Sequence, residues 1–577
     1  MASKFVAFTS LGRRALPNQW DLIALSLIFG LFVLVVRGSH DMTVPLPSAD
    51  VSPVTLDYTA LPYYALRTTL RMFLALAASL FFTLTYATLA AKSRRAETVL
   101  IPLLDVLQSV PILGFLSFTV TFFLGLFPGS TLGAEMACIF AIFTSQAWNM
   151  AFSFYQSLRT VPADLAEVTE GFRLSPWQKF WQLETPFALP ALIYNMMMSM
   201  SGGWFFVVAA EAITVGNTTI KLPGIGSYLA TAIDAKDIKA VLAAVVMVLI
   251  VILLYDQLVF RPIVTWADKF KVELSASQST SKSWLLNLLA RTYWVRRAAS
   301  PLEKAFDWFT SLRLDLPRIR RRTEPSPLVT RGVDIAWFVV IGLIAVYGAW
   351  HAILFVSTTL SWGDVLQTVG LTLLTMLRVV ILLTLASLVW VPIAVWIGLR
   401  PGVAERVQPA AQFLAAFPAN VVFPIAVVGI LTFHLNPDIW LSFLIIFGTQ
   451  WYIVFNVIAG ASAFPNDLRE AASNLRITGW TWWFKVMIPG IFPYYVTGAL
   501  TASGGSWNAA IVAEYVRWGN DKVSASGIGA YIAQATEAGD FPKIVLGVGM
   551  MSVFVILYNR LLWRPLFSYA ERRLRLN

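Results

Sequence analysis

Long apolar segments dominate this chain and restrict what it can fold into. A helix needs about 20 apolar residues to cross a bilayer core. Twelve candidate segments lie near 21–37, 63–91, 98–127, 132–157, 186–213, 238–262, 334–357, 366–398, 408–433, 438–460, 487–514 and 541–563. Because 57% of the residues are hydrophobic, against about 45–50% in soluble proteins, a water-soluble globule could not bury them. The sequence predicts an all-α integral membrane protein with about twelve transmembrane helices.

Basic residues gather in particular short loops, among them the loops that hold Arg94, Arg95 and Arg400. The loop at 38–62 contains three Asp and neither Lys nor Arg. The positive-inside rule then places both termini in the cytoplasm. This clustering explains the net charge of +11 by membrane orientation, so contact with membrane lipids is expected and nucleic acid is not.

The two halves of the chain repeat each other. A shift of 303 residues superposes Trp177 on Trp480, and further upstream a shift of 307 superposes Arg71 on Arg378. Both copies start on the same side, which indicates two six-helix units in a parallel repeat around an axis along the membrane normal. The predicted divisions are 1–62 (first span and outer loop), 63–262 (first unit), 263–333 (basic cytoplasmic linker), 334–365 (span and outer loop opening the second half), 366–565 (second unit) and 566–577 (basic cytoplasmic tail).

The linker at 263–333 holds 13 Lys and Arg against 6 Asp and Glu. An amphipathic surface helix is predicted near 284–308. The composition is typical of a tether held at anionic lipid headgroups. A regulatory or partner-binding role is the alternative.

A polar stretch with matched residues follows the fourth predicted helix of each half, on the cytoplasmic side. Its candidate coupling residues are Asp164, Glu167, Arg173 and Trp177 in the first copy, and Asp467, Glu470, Arg476 and Trp480 in the second. Each copy predicts a short helix, a turn, and a second helix that leads into the membrane. This pattern favours a segment that docks into a groove on a partner protein.

These residues resemble the cytoplasmic coupling loop, the "EAA" loop, of permeases of binding-protein-dependent ABC importers. The second copy keeps the Glu-Ala-Ala run that begins at Glu470, and the first keeps Glu167. The family normally has a glycine six residues after this Glu, where the chain has Arg173 and Arg476. Each arginine is expected either to pair with a carboxylate on an ATPase or to be an interfacial arginine of the positive-inside kind.

The resemblance implies a type I ABC importer permease with both halves fused into one chain. It implies an ABC ATPase dimer with bound Mg-ATP on the cytoplasmic side and a periplasmic or lipid-anchored solute-binding protein outside, in a bacterial inner membrane. The tryptophan-rich run that begins at Pro176 is most similar to the nitrate, sulfonate and bicarbonate branch, so the expected solute is a small anion of that kind. An ion-coupled secondary transporter with two six-helix halves is the alternative.

Catalytic chemistry is not expected in this chain. No G-x-x-x-x-G-K-[ST] motif occurs, so the phosphate-binding loop of an ATPase is missing and ATP hydrolysis is assigned to a separate subunit. One cysteine, Cys138, and three widely separated histidines give no metal-binding pattern. No cofactor and no metal are therefore expected.

Ten residues inside the predicted helices are candidates for the transport pathway or its gates: Arg71, Arg378, Ser201, Gly202, Gly203, Glu211, Ser503, Gly504, Gly505 and Glu514. The Ser-Gly-Gly runs favour either close helix packing or a helix break that exposes backbone polar groups. The two glutamates are expected to be structural partners of a nearby loop, or gates. The two arginines would attract an anion if they face the central axis, or would extend toward outer headgroups.

Overall fold

The computed structural model describes residues 54–215, 218–270, 283–314 and 327–573. The first predicted span, near 21–37, lies outside these residues. The first half contains α1 (Leu61–Lys92), α2 (Arg94–Ser109), α3 (Leu116–Leu126), α4 (Thr131–Arg159), α5 (Ala163–Gly171), α6 (Pro176–Lys179), α7 (Thr185–Ala210), β1 (Ala212–Val215), β2 (Thr218–Lys221), α8 (Ile225–Asp234), α9 (Ile238–Tyr255) and α10 (Arg261–Ala267).

The linker contains α11 (Trp284–Arg291) and α12 (Tyr293–Ser311), in the region where an amphipathic helix is predicted. The second half contains α13 (Pro327–Ser357), α14 (Trp362–Gly398), α15 (Pro401–Ala416), α16 (Phe423–Thr432), α17 (Pro437–Phe447), α18 (Gln450–Ser462), α19 (Asn466–Asn474), α20 (Gly479–Trp482), α21 (Ile488–Ala513), β3 (Tyr515–Trp518), β4 (Asp521–Ser524), α22 (Ile528–Ala538), α23 (Phe541–Tyr558) and α24 (Arg564–Arg573).

Fewer helices than predicted have the length and hydropathy of a membrane span. In the described ranges seven helices meet both criteria, or nine if each of two bent pairs is one span. The single span predicted near 98–127 is not one straight helix, because the chain there forms two helices bent by 88°, one of the two bent pairs counted above. The bend lies at Pro111, which disfavours helical geometry in Val110, where ψ is 127°.

The span predicted near 408–433 is divided in the same way. Helix α15 ends at Ala416, and a short 3₁₀ turn at Ala419–Val421 separates it from α16. Pro418 precedes this turn, as Pro111 precedes the 3₁₀ turn at Ile112–Phe115 in the first half. Hydropathy shows the apolar content of such a segment but not the break within it. The sequence therefore predicts one continuous helix where the structure has two.

The fold is helical as predicted, and each half adds one short β-hairpin that the sequence did not indicate. Strand β1 pairs antiparallel with β2, and β3 pairs antiparallel with β4. Each hairpin directly follows a 26-residue helix, α7 or α21. A helix of that length extends about 39 Å, so the hairpins lie at the opposite end of the molecule from α5 and α19. We call these two ends the hairpin side and the coupling side.

The second half repeats the first in sequence and, with one exception, in element order: α17 and α18 stand where the first half has the single helix α4. Both halves have π-helical turns, at Phe180–Glu184 and Asp256–Phe260 in the first and at Trp483–Met487 and Asn559–Trp563 in the second. These positions differ by the 303 residues that align the sequences. Such wider turns are uncommon, so their recurrence shows that the two halves share local geometry.

The halves meet through contacts made at repeat-related positions. The amide of Ile112 donates to Asn508 Oδ1 over 2.9 Å, and Asn420 Nδ2 donates to the carbonyl of Phe205 over 2.9 Å. Phe205 and Asn508 are equivalent in the repeat. Each 3₁₀ turn therefore packs against the long 26-residue helix of the other half, which is α21 for the first turn and α7 for the second.

On the hairpin side the halves also touch directly. Lys236 Nζ lies 2.7 Å from Asp521 Oδ2, and the amide of Gly519 donates to the carbonyl of Ile233 over 2.9 Å. Lys236 has φ of 55°, where its repeat equivalent is Gly539 with φ of 68°. The lysine keeps a backbone geometry that favours glycine, and its side chain reaches the other half.

Candidate functional site

The two coupling helices, α5 and α19, end in the same turn. The amide of Arg173 donates to Glu170 O and the next amide donates to Thr169 O; in the second half Arg476 and its successor donate in the same way to Ser473 O and Ala472 O. This pair of hydrogen bonds is the Schellman motif, whose central residue is normally a left-handed glycine. The two arginines have φ of 50° and 51°. In both copies an arginine thus adopts the conformation that glycine normally takes in this motif.

Replacing Arg476 with glycine is expected to stabilise this turn by about 0.5–1 kcal/mol. The left-handed conformation costs a non-glycine residue about 1–2 kcal/mol, and the added freedom of glycine in the unfolded chain offsets part of that gain. Hydrogen exchange of amides 474–478 measures the effect. Arg406→Gly, in the interior of α15, is the control and should lose about 1 kcal/mol locally. Faster exchange of amides 474–478 in Arg476→Gly would show that the left-handed conformation of Arg476 is not strained.

The coupling helices present their functional candidates to solvent. Asp164 and Asp467 occupy the first turns, where a carboxylate interacts favourably with the helix dipole. Glu167 and Glu470 are exposed on the same helices. Each helix is followed by an exposed apolar side chain, Phe172 in the first half (73% exposed) and Leu475 in the second (72% exposed). Sequence reasoning missed this apolar pair, although the shift of 303 superposes the two positions.

Trp177 and Trp480 differ in their surroundings despite their equivalence in the repeat. Trp177 Nε1 donates to the carbonyl of Phe309 in α12 over 2.8 Å. Trp480 is 78% exposed and stacks on Phe484 of its own half. The predicted coupling surface around Trp177 is therefore covered by the linker, whereas the surface around Trp480 is open.

Arg71 lies in a buried ion-pair network on the hairpin side and does not face an open axis. Its Nη1 lies 2.5 Å from Glu211 Oε1, and its Nε lies 2.5 Å from Glu135 Oε2. Arg67 Nη2 also reaches Glu135 Oε1, over 2.7 Å. All four side chains are at most 2% exposed. In this structure the guanidinium is enclosed inside the first half, where two arginines and two carboxylates balance in charge.

Glu211 also receives hydrogen bonds that fix the start of α8. Thr68 Oγ1 donates to its Oε1 over 2.7 Å and the amide of Gly226 donates to its Oε2 over 2.7 Å. Thr68 in turn accepts from the amide of Ile225 over 3.0 Å. This geometry favours the structural interpretation of Glu211, since its carboxylate joins α1, α7 and the N-terminus of α8.

The second half has the same network with one cation fewer. Arg378 Nη1 lies 2.5 Å from Glu514 Oε1, and Thr375 and Gly529 donate to that carboxylate as Thr68 and Gly226 do to Glu211. Asp438, the repeat equivalent of Glu135, lies 3.5 Å from Arg378 and is 50% exposed. Leucine replaces the equivalent of Arg67. The second network is thus more open and carries one net negative charge.

The Ser-Gly-Gly runs lie inside helices that continue unbroken through α7 and α21, so of the two interpretations this structure has close packing and not a helix break. A Cβ on Gly203 would contact Gln146 and Met72, and one on Gly505 would contact Thr449, which is the close packing that was the alternative. Gly202 and Gly504 have open space at this position. Ser503 is buried at 1% exposure.

A cavity of about 90 Å³ lies between the halves and brings three of the pathway candidates together. Ser201 and Gly202 line it from α7, and Gly505 lines it from α21. Thr449 and Asn508 add polar groups, and the lining otherwise consists of apolar and aromatic side chains with no charged residue. The predicted candidates Arg71, Arg378, Glu211 and Glu514 are not part of this lining.

Comparison with known families decides what kind of protein carries this site. Residues 57–261 and 390–563 each match the family model described as "Binding-protein-dependent transport system inner membrane component". The chain belongs to this family. It is a multi-pass membrane permease of the ABC transporter class. The family predicted from the coupling-loop residues is confirmed.

Relatives of this permease are similar over about a third of the chain. The bicarbonate transport system permease protein CmpB of Synechocystis sp. is 30% identical over 178 residues, covering 31% of this chain and 60% of that protein. The nitrate import permease protein NrtB of Leptolyngbya laminosa is 25% identical over 184 residues (32% and 62%). The glycine betaine/carnitine transport permease protein GbuB of Listeria monocytogenes is 27% identical over 170 residues (29% and 54%). The aligned part of the chain spans only about 60% of the length of these relatives.

Proposed function

We propose that this permease supplies both halves of the membrane pathway of an ATP-driven importer and moves a small solute into the cytoplasm by alternating access. The observation that carries the proposal is the pair of coupling helices, α5 and α19, which share the same left-handed terminal turn and project from the same side. An ATPase dimer presents two equivalent surfaces, and one chain with two such helices can occupy both.

The proposed orientation puts the coupling side in the cytoplasm of a bacterial cell, with both termini there and the hairpin side facing a solute-binding protein. Lys92 and Arg94, which belong to a basic loop, lie at the coupling-side end of α1, which supports this orientation. The contact of Lys236 with Asp521 joins the halves on the hairpin side.

A small monovalent anion such as nitrate, a sulfonate or bicarbonate is the proposed solute. Two of the relatives bear the names of bicarbonate and nitrate permeases. The cavity between the halves has hydroxyl and amide groups but no charged side chain. Removing an ion from water without an opposite charge is costly, and the cost rises with the square of the charge. Such a cavity therefore favours a monovalent solute over a divalent one.

Recovery of an ATPase with the tagged permease from its native host tests the proposal. Mild-detergent purification and mass spectrometry should identify a P-loop ATPase with the unmodified chain. Phe172→Asp combined with Leu475→Asp should lower that recovery at least about tenfold, because both apolar docking side chains become charged. Lys543→Asp, a change on the hairpin side, is the control and should retain the ATPase. Recovery without any ATPase, together with uptake driven by an ion gradient, would favour a secondary transporter.

A further inference from the structure

The last turn of linker helix α12 receives its C-terminal cap from the first half. The final carbonyl groups of a helix have no partner within the helix. Here Trp177 Nε1 donates to Phe309 O over 2.8 Å and Gln178 Nε2 donates to Ser311 O over 2.9 Å. Gln182 Nε2 reaches the carbonyl of the residue between them over 3.4 Å. Three successive carbonyl groups are thus capped by side chains from the segment that follows the first coupling helix.

Aromatic side chains complete the same contact. The ring of Phe309 lies 5.0 Å from that of Trp177 and 5.5 Å from that of Trp181, both edge-on. Phe306, one turn earlier in α12, lies 6.0 Å from Trp181. Edge-to-face pairs at these distances contribute about 0.5–1.5 kcal/mol each beyond the burial of their area. The contact therefore combines directional hydrogen bonds with apolar packing.

The second half keeps the aromatic residues of this surface but not its amide donors. Trp480 and Phe484 stand at the positions of Trp177 and Trp181, whereas Gln178 and Gln182 are replaced by threonine and lysine. Trp480 and Phe484 are 78% and 63% exposed. The two amides that cap α12 thus occur only in the copy where a linker helix is docked. The two amides therefore correlate with the docked linker helix, because the second copy has the same fold without them.

We propose that α12 supports the first coupling loop and makes the two ATPase-coupling sites mechanically unequal. Only five residues separate the end of α5 from Trp177, and they include the left-handed turn at Arg173. Docking of α12 therefore fixes the segment through which motion of α5 passes into α7. Within the described part of the chain no linker helix docks on the second coupling loop, so it moves more freely. The inference of unequal coupling rests on the proposed function, whereas the docking itself does not.

Hydrogen exchange of the purified permease without an ATPase tests the docking. We expect slower exchange of the amides within the segment 176–184 than of those within the equivalent segment 479–487. Phe309→Ala should speed exchange at 176–184 at least about tenfold, since it removes two ring contacts and loosens the cap, and should leave 479–487 unchanged. Gln182→Lys, which installs the second-half residue, is a milder variant with the same expected direction. Phe484→Ala is the matched control and should not alter 176–184. Equal exchange in all variants would overturn the docking.

Reconstitution with the ATPase tests the coupling. Phe309→Ala should retain the ATPase and its basal turnover but lower the amount of solute moved per ATP at least about threefold. The unsupported first coupling loop would then deform and pass less of the motion of α5 into α7. Phe484→Ala should leave this ratio unchanged. An unchanged ratio in Phe309→Ala would overturn the unequal coupling. If the unmodified chain binds no ATPase, the proposed function fails, and the exchange result still decides whether α12 docks.

Discussion

Arg71→Met is expected to lower the free energy of unfolding by about 3–5 kcal/mol. That is the usual cost when one partner of a buried ion pair is removed and the other stays charged. Arg71 is the cation within hydrogen-bond distance of Glu211, and it shares Glu135 with Arg67. The substitution leaves the Glu211 carboxylate buried without a positive charge beside it. Thermal unfolding of the detergent-solubilised chain, followed by tryptophan fluorescence, measures the loss.

Three further variants make this prediction specific. Arg159→Met removes an arginine that is 56% exposed and lies 3.9 Å from Glu97, and it should cost less than about 1 kcal/mol. Arg378→Met should fall between the two, because Asp438 beside it is half exposed. Combining Arg71→Met with Glu211→Gln should restore part of the loss, since the buried negative charge is gone. If Arg71→Met were as stable as Arg159→Met, the network would not hold the hairpin side together.

Gly226→Ala and Gly529→Ala are expected to destabilise their halves by about 3 kcal/mol each. A Cβ on Gly226 would overlap the carbonyl oxygen of Val208, and one on Gly529 would overlap that of Ala510. These neighbours are backbone atoms inside long helices and cannot move aside as a flexible side chain can. Insertion of a methyl group into such a site typically costs about 1–3 kcal/mol or more. It would also displace the amides that bind Glu211 and Glu514.

Gly125→Ala and Gly549→Ala are the controls, because a Cβ at either position meets nothing within 4 Å. Both lie inside helices, where alanine is favoured over glycine by up to about 1 kcal/mol. They should leave stability unchanged or raise it. Limited proteolysis of the hairpins reports local displacement of α8 or α22, whereas the midpoint of unfolding reports the stability of the whole chain. Comparing the two distinguishes a local effect from a global loss of stability. Wild-type stability in Gly226→Ala would contradict the close approach of α8 to α7.

The coupling loops could be predicted because their signal is local. A polar stretch with matched charges and tryptophans is conspicuous in an otherwise apolar chain, and its recurrence after 303 residues fixes the two copies. The left-handed backbone at Arg173 and Arg476 was not predicted, since arginine gives no sign of it. The resemblance did mark the position, because the family's glycine is the residue that such a turn favours.

The ion-pair network could have been predicted only in part. Arg71 and Glu211 are 140 positions apart, and no local pattern connects them. The rule that intramembrane charges pair with each other would have favoured an arginine–glutamate pair over an anion site. Glu135 was not among the candidates, although its repeat equivalent is also acidic. The capping of α12 by Gln178 and Gln182 was beyond sequence reasoning, because the helix end and its partners lie about 130 positions apart.

Native mass spectrometry of the purified complex tests whether one chain supplies both halves of the pathway. We expect one copy of this permease with two ATPase subunits, and ATP-dependent uptake of a small anion after reconstitution of that complex in liposomes. A complex with two copies of this chain would contradict the claim, because each copy would then supply only one half. Anion uptake by the chain alone, driven by an ion gradient without ATP, would contradict it as well.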